Sequence, residues 1–200
     1  MTNKRYPQKI LVSCEIPWSE KEELIEDTFR QEIQNTINNG YKNMYIFGTA
    51  GEGYAVKIDQ FKEIVQVFKE ETINTKQNIE PMVGVIGLST SQVTEKIAIA
   101  YDSGFRMFQI SLPSWGELNN HEYMNFFKDV CGSFNDCSFL NYNLPRTKRI
   151  LFSDDYKRIQ DSVPNLVATK FTSASAEECE KLVKETEIQH FFGDNNFPSG

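Results

Sequence analysis

Histidine is almost missing from this chain. His121 and His190 are the only two in 200 residues, and neither lies in a ligand-spaced motif. A histidine-rich metal centre or a Ser-His-Asp triad therefore has little material to draw on. Cysteine is nearly as scarce: Cys14, Cys131, Cys137 and Cys179 form no Cys-x-x-Cys pair. All four read as reduced packing residues, not as zinc ligands or a redox couple. Positive charge also falls short, with 21 lysines and arginines against 28 acids and a net charge of −7, which argues against a nucleic-acid partner. No segment approaches the about 20 apolar residues of a membrane helix. Lys4, Arg5 and Lys9 are followed by an apolar stretch, Ile10 to Cys14, that is too short for a signal peptide. The expected location is the cytoplasm. Serine/glycine linkers, low-complexity tracts and clear repeats are lacking as well, so residues 1–200 read as a single domain.

What is present is an alternation of strand and helix patterns. Ile10 to Ile16 reads as a first strand, and Ile25, Phe29, Ile33 and Ile37 recur every four residues as a helix that Gly40 stops. Met44 to Phe47 is a second strand, followed by the helical stripe Phe61, Ile64, Val65 and Phe68. Pro81 to Ile86 is a third strand. Thr90 is placed to cap the next helix, with Val93, Ile97, Ala100 and Tyr101 on its buried face and Gly104 at its end. Met107 to Leu112 is a fourth strand before a helix carrying Tyr123, Phe126, Phe127 and Val130. Ser138 to Tyr142, a short helix Asp154 to Ile159, and the strand Leu166 to Thr169 follow. Ser175 and Glu178 form a capping box before Cys179, Leu182 and Val183, and Gln189 to Phe192 is a seventh strand.

Seven strands with short helical connections imply parallel pairing through right-handed crossovers. An α/β fold follows, either an open doubly wound sheet or a (β/α)8 TIM barrel. No Gly-x-Gly-x-x-Gly follows the first strand, which weakens the dinucleotide-binding version. In both architectures ligands gather beyond the carboxyl ends of the strands, where the non-packing residues of this chain fall. These are Gly48-Thr49-Ala50-Gly51-Glu52-Gly53, Pro113-Ser114-Trp115, Tyr142 to Thr147, Lys170 to Ser173 and Gly193 to Asn196.

Lys170 closes the apolar run Leu166-Val167-Ala168-Thr169. An amine carried into a protein interior loses hydration, which lowers its pKa from about 10.4 and frees the lone pair for attack on a carbonyl. The alternative is a lysine that bends outward and merely solvates a strand end. Tyr142 is a phenol able to pass protons, or a structural tyrosine bonded to a backbone carbonyl. The Gly48 to Gly53 loop is either an anion-binding turn or only a tight βα connection. Arg146 is a bidentate carboxylate clamp or a solvated loop residue.

Together, Gly48 to Gly53, Tyr142-Asn143-Leu144-Pro145-Arg146-Thr147, and Thr169-Lys170 with Thr172 resemble the dihydrodipicolinate synthase/N-acetylneuraminate lyase family, from about Ile10 to the end of the chain. The resemblance implies a (β/α)8 barrel, here truncated after strand seven, and a class I aldolase or lyase that is commonly a homotetramer. It implies Lys170 as the Schiff-base lysine and Tyr142 as the proton shuttle. Gly48, Thr49 and Ala50 would hold the carboxylate of pyruvate or another 2-oxo acid, and Arg146, Thr172, Gly193 and Asn195 are further substrate-binding candidates. An aldehyde is the second substrate, a homo-oligomer (dimer or tetramer) the assembly, and no metal or organic cofactor is implied beyond the lysine-pyruvate imine. Two departures stand out. Ala50 replaces a hydroxyl residue, and Pro113-Ser114-Trp115 lacks the phenol that the synthase branch carries after strand four. The alternatives are a non-catalytic 2-oxo-acid sensor or scaffold, the 4-hydroxy-tetrahydrodipicolinate synthase itself, and a phosphate-binding barrel.

Overall fold

The computed structural model describes residues 4–75, 77–172 and 175–193. Strands and helices alternate throughout: β1 (Val12–Ser13), α1 (Glu26–Asn38), β2 (Asn43–Ile46), α2 (Ile58–Thr72), β3 (Glu80–Val85), α3 (Thr90–Asp102), β4 (Met107–Ile110), α4 (Asn120–Ser133), β5 (Ser138–Asn143), α5 (Ser153–Ser162), β6 (Leu166–Phe171), α6 (Ala176–Glu185) and β7 (Gln189–Phe192). The chain divides into two compact units, one of Lys9–Ile86 with Val93–Gln109 and the other of Met1–Gln8, Gly87–Gln92 and Ile110–Gly200. No helix of the described residues is long and apolar enough to cross a membrane.

In the unit holding β1 to β4, strand order follows chain order. β1 pairs in parallel with β2 through Val12–Met44 and Ser13–Tyr45, and β2 with β3 from Asn43–Glu80 to Ile46–Val83. The helices bury the stripes that their periodicity predicts: Phe29, Ile33 and Ile37 on α1, and Phe61, Ile64, Val65 and Phe68 on α2. Stacks of Phe47 on Phe61 and of Phe68 on Phe105, with centroids 4.8 and 5.6 Å apart, tie α2 to its surroundings.

The predicted elements differ from the structure at several ends. Ile10 is 69% exposed and lies outside β1. The ladder also stops early, because the Glu15 amide donates to the Glu32 carboxylate instead of to a strand. Ile25 precedes α1 and is exposed. Thr90 is already helical, and Ser89 Oγ accepts from the Gln92 amide in the capping role. Tyr101 is only half-buried. Ser175 caps α6, but the Glu178 carboxylate accepts from the Ser153 amide in place of closing the box. Val183 is exposed, which leaves Cys179 and Leu182 as the buried face.

Gly84 is a glycine because of backbone proximity. A Cβ there would stand 2.5 Å from the Ile46 carbonyl oxygen and 2.7 Å from that of Phe47. Backbone atoms cannot step aside as a flexible side-chain end can. Gly84→Ala is therefore expected to destabilise the fold by about 1–3 kcal/mol. The readout is a lower urea midpoint at unchanged m-value; an unchanged midpoint would show that β2 yields freely.

The second unit carries β5, β6 and β7 in order, all parallel. The β5–β6 register slips after Phe139–Leu166, and pairing resumes at Leu140–Ala168, leaving Val167 as the extra residue of a bulge. Thereafter Asn141 faces Thr169, Tyr142 faces Lys170, and Asn143 faces Phe171; across β6, Thr169 meets His190 and Lys170 meets Phe191. Because strand side chains alternate, Asn141, Thr169 and His190 share one face and Tyr142, Lys170 and Phe191 the other. The first face packs on α5, where Asn141 Nδ2 donates to Tyr156 Oη at 2.7 Å and the Tyr156 ring lies 6.0 Å from that of His190.

His190 is clamped between two threonines, with Nδ1 2.6 Å from Thr169 Oγ1 and Nε2 2.7 Å from Thr186 Oγ1. Thr186 spends its one proton on the Leu182 carbonyl, so it must accept from Nε2–H, and Thr169 then donates to Nδ1. The imidazole is thereby held neutral, and burial, followed by the charge of Lys4, pushes its pKa down to about 3. Lys4 Nζ itself donates to the Val183 and Thr186 carbonyls at 2.7 and 2.6 Å, placing a cation at the C-terminus of α6.

Candidate active site

Lys170 lies one residue inside the end of β6, so the strand runs past it to Phe171. It is half-buried, and its Nζ sits over the ring of Tyr142, 4.3 Å from the centroid. Tyr142 is 6% exposed. The β-bulge at Val167 sets this pairing. Without the extra residue, Tyr142 would oppose Thr169, and Lys170 would turn to the face that packs on α5. The amine and the phenol-bearing ring therefore meet through the register of two neighbouring strands.

The other candidates of this unit surround that pair less tightly. Arg146 is exposed on a short 3-10 turn, Pro145–Thr147, where the Thr147 hydroxyl contacts the carbonyls of Leu144 and Arg149 at 2.9 Å each. Asn143, part of the Tyr142 to Thr147 motif, anchors this connection with both ends of its amide. Nδ2 donates to the Leu151 carbonyl at 2.8 Å, and Oδ1 accepts from the Leu151 amide at 3.1 Å. Thr172 is exposed immediately beyond β6. Gly193 follows β7, and its amide donates to the Phe171 carbonyl at 3.3 Å. Asn195, with Ser173, Asp194 and Asn196, lies outside the described residues. Trp115 is 81% exposed, and its carbonyl accepts from Lys148 Nζ at 3.1 Å. All four cysteines are free and buried.

Gly48, Thr49 and Ala50 belong to the first unit, in the loop after β2. Phe47 turns the chain into it with φ of +61°, a left-handed conformation costly for a non-glycine residue, and Glu52 repeats this at +52°. Burial of Phe47 against Phe61 holds the first turn. The loop then closes on itself, with the Glu52 amide donating to the Thr49 carbonyl and the Gly53 amide to that of Gly48, both at 3.2 Å. Gly48 and Gly51 are buried, Thr49 is half-buried and Ala50 is exposed.

Under this loop lie groups that the motif reading passed over. Ser13 Oγ and Tyr45 Oη lie 3.5 and 3.6 Å from where a Cβ on Gly48 would stand, and Glu15 Oε2 lies 3.0 Å from that of Gly51. The signal was available in the alternation of Val12, Cys14 and Ile16 with Ser13 and Glu15, which puts two polar side chains on one face of a strand end.

Comparison with known proteins agrees with this layout. The Dihydrodipicolinate synthetase family pattern matches residues 6–197. The N-acetylneuraminate lyase of Shigella boydii serotype 4 is 20% identical over 176 residues, covering 88% of this chain and 58% of the lyase. The chain thus spans less than two thirds of the curated relatives it matches. Among solved structures, dihydrodipicolinate synthase from Aquifex aeolicus superposes with a TM-score of 0.83 at 19% identity, covering 98% of this chain and 64% of that one. A prophage protein of the dihydrodipicolinic acid synthase family from Escherichia coli K12, solved in complex with pyruvate, has a TM-score of 0.83 at 16% identity and covers 96% and 63%. These likenesses show the fold, a (β/α)8 barrel represented here through its seventh strand.

Proposed function

Because the chain belongs to the Dihydrodipicolinate synthetase family, we propose that it works as a class I aldolase, joining or cleaving a 2-oxo acid and an aldehyde through a lysine imine. The observation that carries this reading is the placement of Lys170 Nζ over the Tyr142 ring, 4.3 Å from its centroid, on one sheet face. Lys170, as the free amine, adds to the C2 ketone. Loss of water from the carbinolamine leaves an iminium, with Tyr142 relaying the protons. The C4 hydroxyl gives its proton to the Tyr142 relay while the iminium accepts the electron pair of the breaking C3–C4 bond, so the aldehyde departs and an enamine remains. Protonation at C3 and hydrolysis return pyruvate and the amine. Gly48, Thr49 and Ala50 are the residues assigned to the substrate carboxylate, with Arg146, Thr172, Gly193 and Asn195 toward the remainder of the substrate. The iminium formed on the lysine provides the electron sink, so the scheme uses no resident metal or organic cofactor. A homodimer or homotetramer in the cytoplasm completes the proposal.

Pro113-Ser114-Trp115 counts against the 4-hydroxy-tetrahydrodipicolinate synthase reaction, since neither residue after the proline supplies a relay phenol. Loss of a loop hydroxyl at Ala50 favours the second reading, a 2-oxo-acid sensor without turnover. Pyruvate plus borohydride is expected to leave a reduced adduct on Lys170, found by peptide mass spectrometry. A protein that binds pyruvate and yields no adduct would refute the imine. An adduct with no exchange of the pyruvate methyl protons would favour the sensor.

A further inference from the structure

Glu15 is an acid set against the glycine loop, 3.0 Å from where a Cβ on Gly51 would stand. Its Oε2 is shut off from solvent with no hydrogen-bond partner, as is the neighbouring Ser13 Oγ. Glu32 on α1 accepts from the Glu15 amide at 2.7 Å, and burial raises its carboxyl, against the lowering effect of that hydrogen bond. Burial pushes the Cys14 thiol, beside it in the chain, up to about 12. Tyr45 on β2 brings its hydroxyl beside Gly48, and Glu52 in the loop is exposed. No ion pair to Glu15 is recorded among the described residues.

We propose that a 2-oxo acid enters the Gly48–Gly53 loop together with one proton, held by Glu15 and donated in a hydrogen bond to the substrate carboxylate. The inference rests on the reading of this loop as the carboxylate site. Two carboxylates in one desolvated place cannot both stay ionised, and a carboxyl group supplies the donor that Ala50 has lost. Glu15 Oε2 gains a partner in the same event. Glu15 thus makes affinity for the keto acid depend on pH: above the pH at which the proton is lost, pyruvate affinity falls about tenfold per pH unit. Glu15→Gln, which donates without titrating, binds pyruvate with a flat pH profile and more tightly in alkali.

The test is isothermal titration of pyruvate in buffers of different ionisation enthalpy at one pH. Wild type is expected to take up one proton and Glu15→Gln none. Uptake that persists in Lys170→Ala separates the effect from protons moved by imine chemistry. Uptake retained in Glu15→Gln, or lost in Lys170→Ala, overturns the assignment. Wild-type binding without proton uptake also overturns it while leaving the aldolase reading intact, and no pyruvate binding at all overturns both.

Discussion

Lys170→Arg is expected to abolish the borohydride adduct and lower aldol turnover by on the order of 10^4-fold or more. Arginine keeps a long stem with a polar head, so it can still occupy the space above the Tyr142 ring, 4.3 Å from the lysine nitrogen to the ring centroid. Its guanidinium does not deprotonate in a protein and cannot add to a ketone. The substitution therefore separates the packing role of a half-buried side chain from its chemical role. Tyr142→Phe removes only the hydroxyl from a ring that is 6% exposed, leaving the aromatic face beneath the amine. A loss of about 10^2–10^4-fold is expected, the usual range for a positioned proton relay, with the adduct still formed but more slowly. Circular dichroism checks the fold of both variants, and steady-state kinetics with single-turnover trapping supplies the readout. Turnover within tenfold of wild type for Lys170→Arg would exclude Lys170 as the nucleophile.

Acid is expected to destabilise the protein through His190. The imidazole titrates at about 3 in the fold against an ordinary 6.5, so the unfolded chain takes up this proton first. The contribution is fully present above the unfolded value and is lost as pH falls from about 6.5 toward 3, at up to about 1.4 kcal/mol per pH unit. At pH 5, some 1.5 units below 6.5, the loss is roughly 2 kcal/mol. Protonation would force a donor onto Nδ1, where Thr169 already donates, because Thr186 needs its proton for Leu182. Urea midpoints at about pH 7.5 and pH 5 measure the effect, and the difference in slope between wild type and His190→Gln isolates it from the carboxylates. Removing the nearby charge by Lys4→Met is expected to flatten the wild-type slope slightly. Parallel pH profiles for wild type and His190→Gln would refute the assignment.

Helix existence was legible wherever the apolar spacing was long and unambiguous. Phe61, Ile64, Val65 and Phe68 on α2 are buried as their spacing predicts, and Gly40, with φ of +87°, ends α1. Element ends were less legible, because apolar character does not report what a residue faces. Ile10, Ile25 and Val183 fit their patterns and are nevertheless exposed. Capping was half legible: Ser175 takes its predicted place, but Glu178 reaches the Ser153 amide on another helix, a partner 25 positions away that no local motif encodes.

For the site, the chemical inventory lay in the sequence itself. A lysine at a strand end, a phenol at the end of the preceding strand and a glycine-rich turn after the second strand can be read directly, since each is a local departure from an apolar pattern. Three things were decided by tertiary structure alone. The bulge at Val167 chose which face Lys170 shares and hence that it meets Tyr142, because register belongs to two strands at once and one residue of slip inverts it. The neutral state of His190 came from burial and from threonines on β6 and just beyond α6. The exposure of the Glu15 environment as an unpartnered acid beneath Gly51 came from the fold of a loop 36 residues further along. Local sequence sets which groups are available; pairing between segments distant in the chain sets which of them lie within reach of one another.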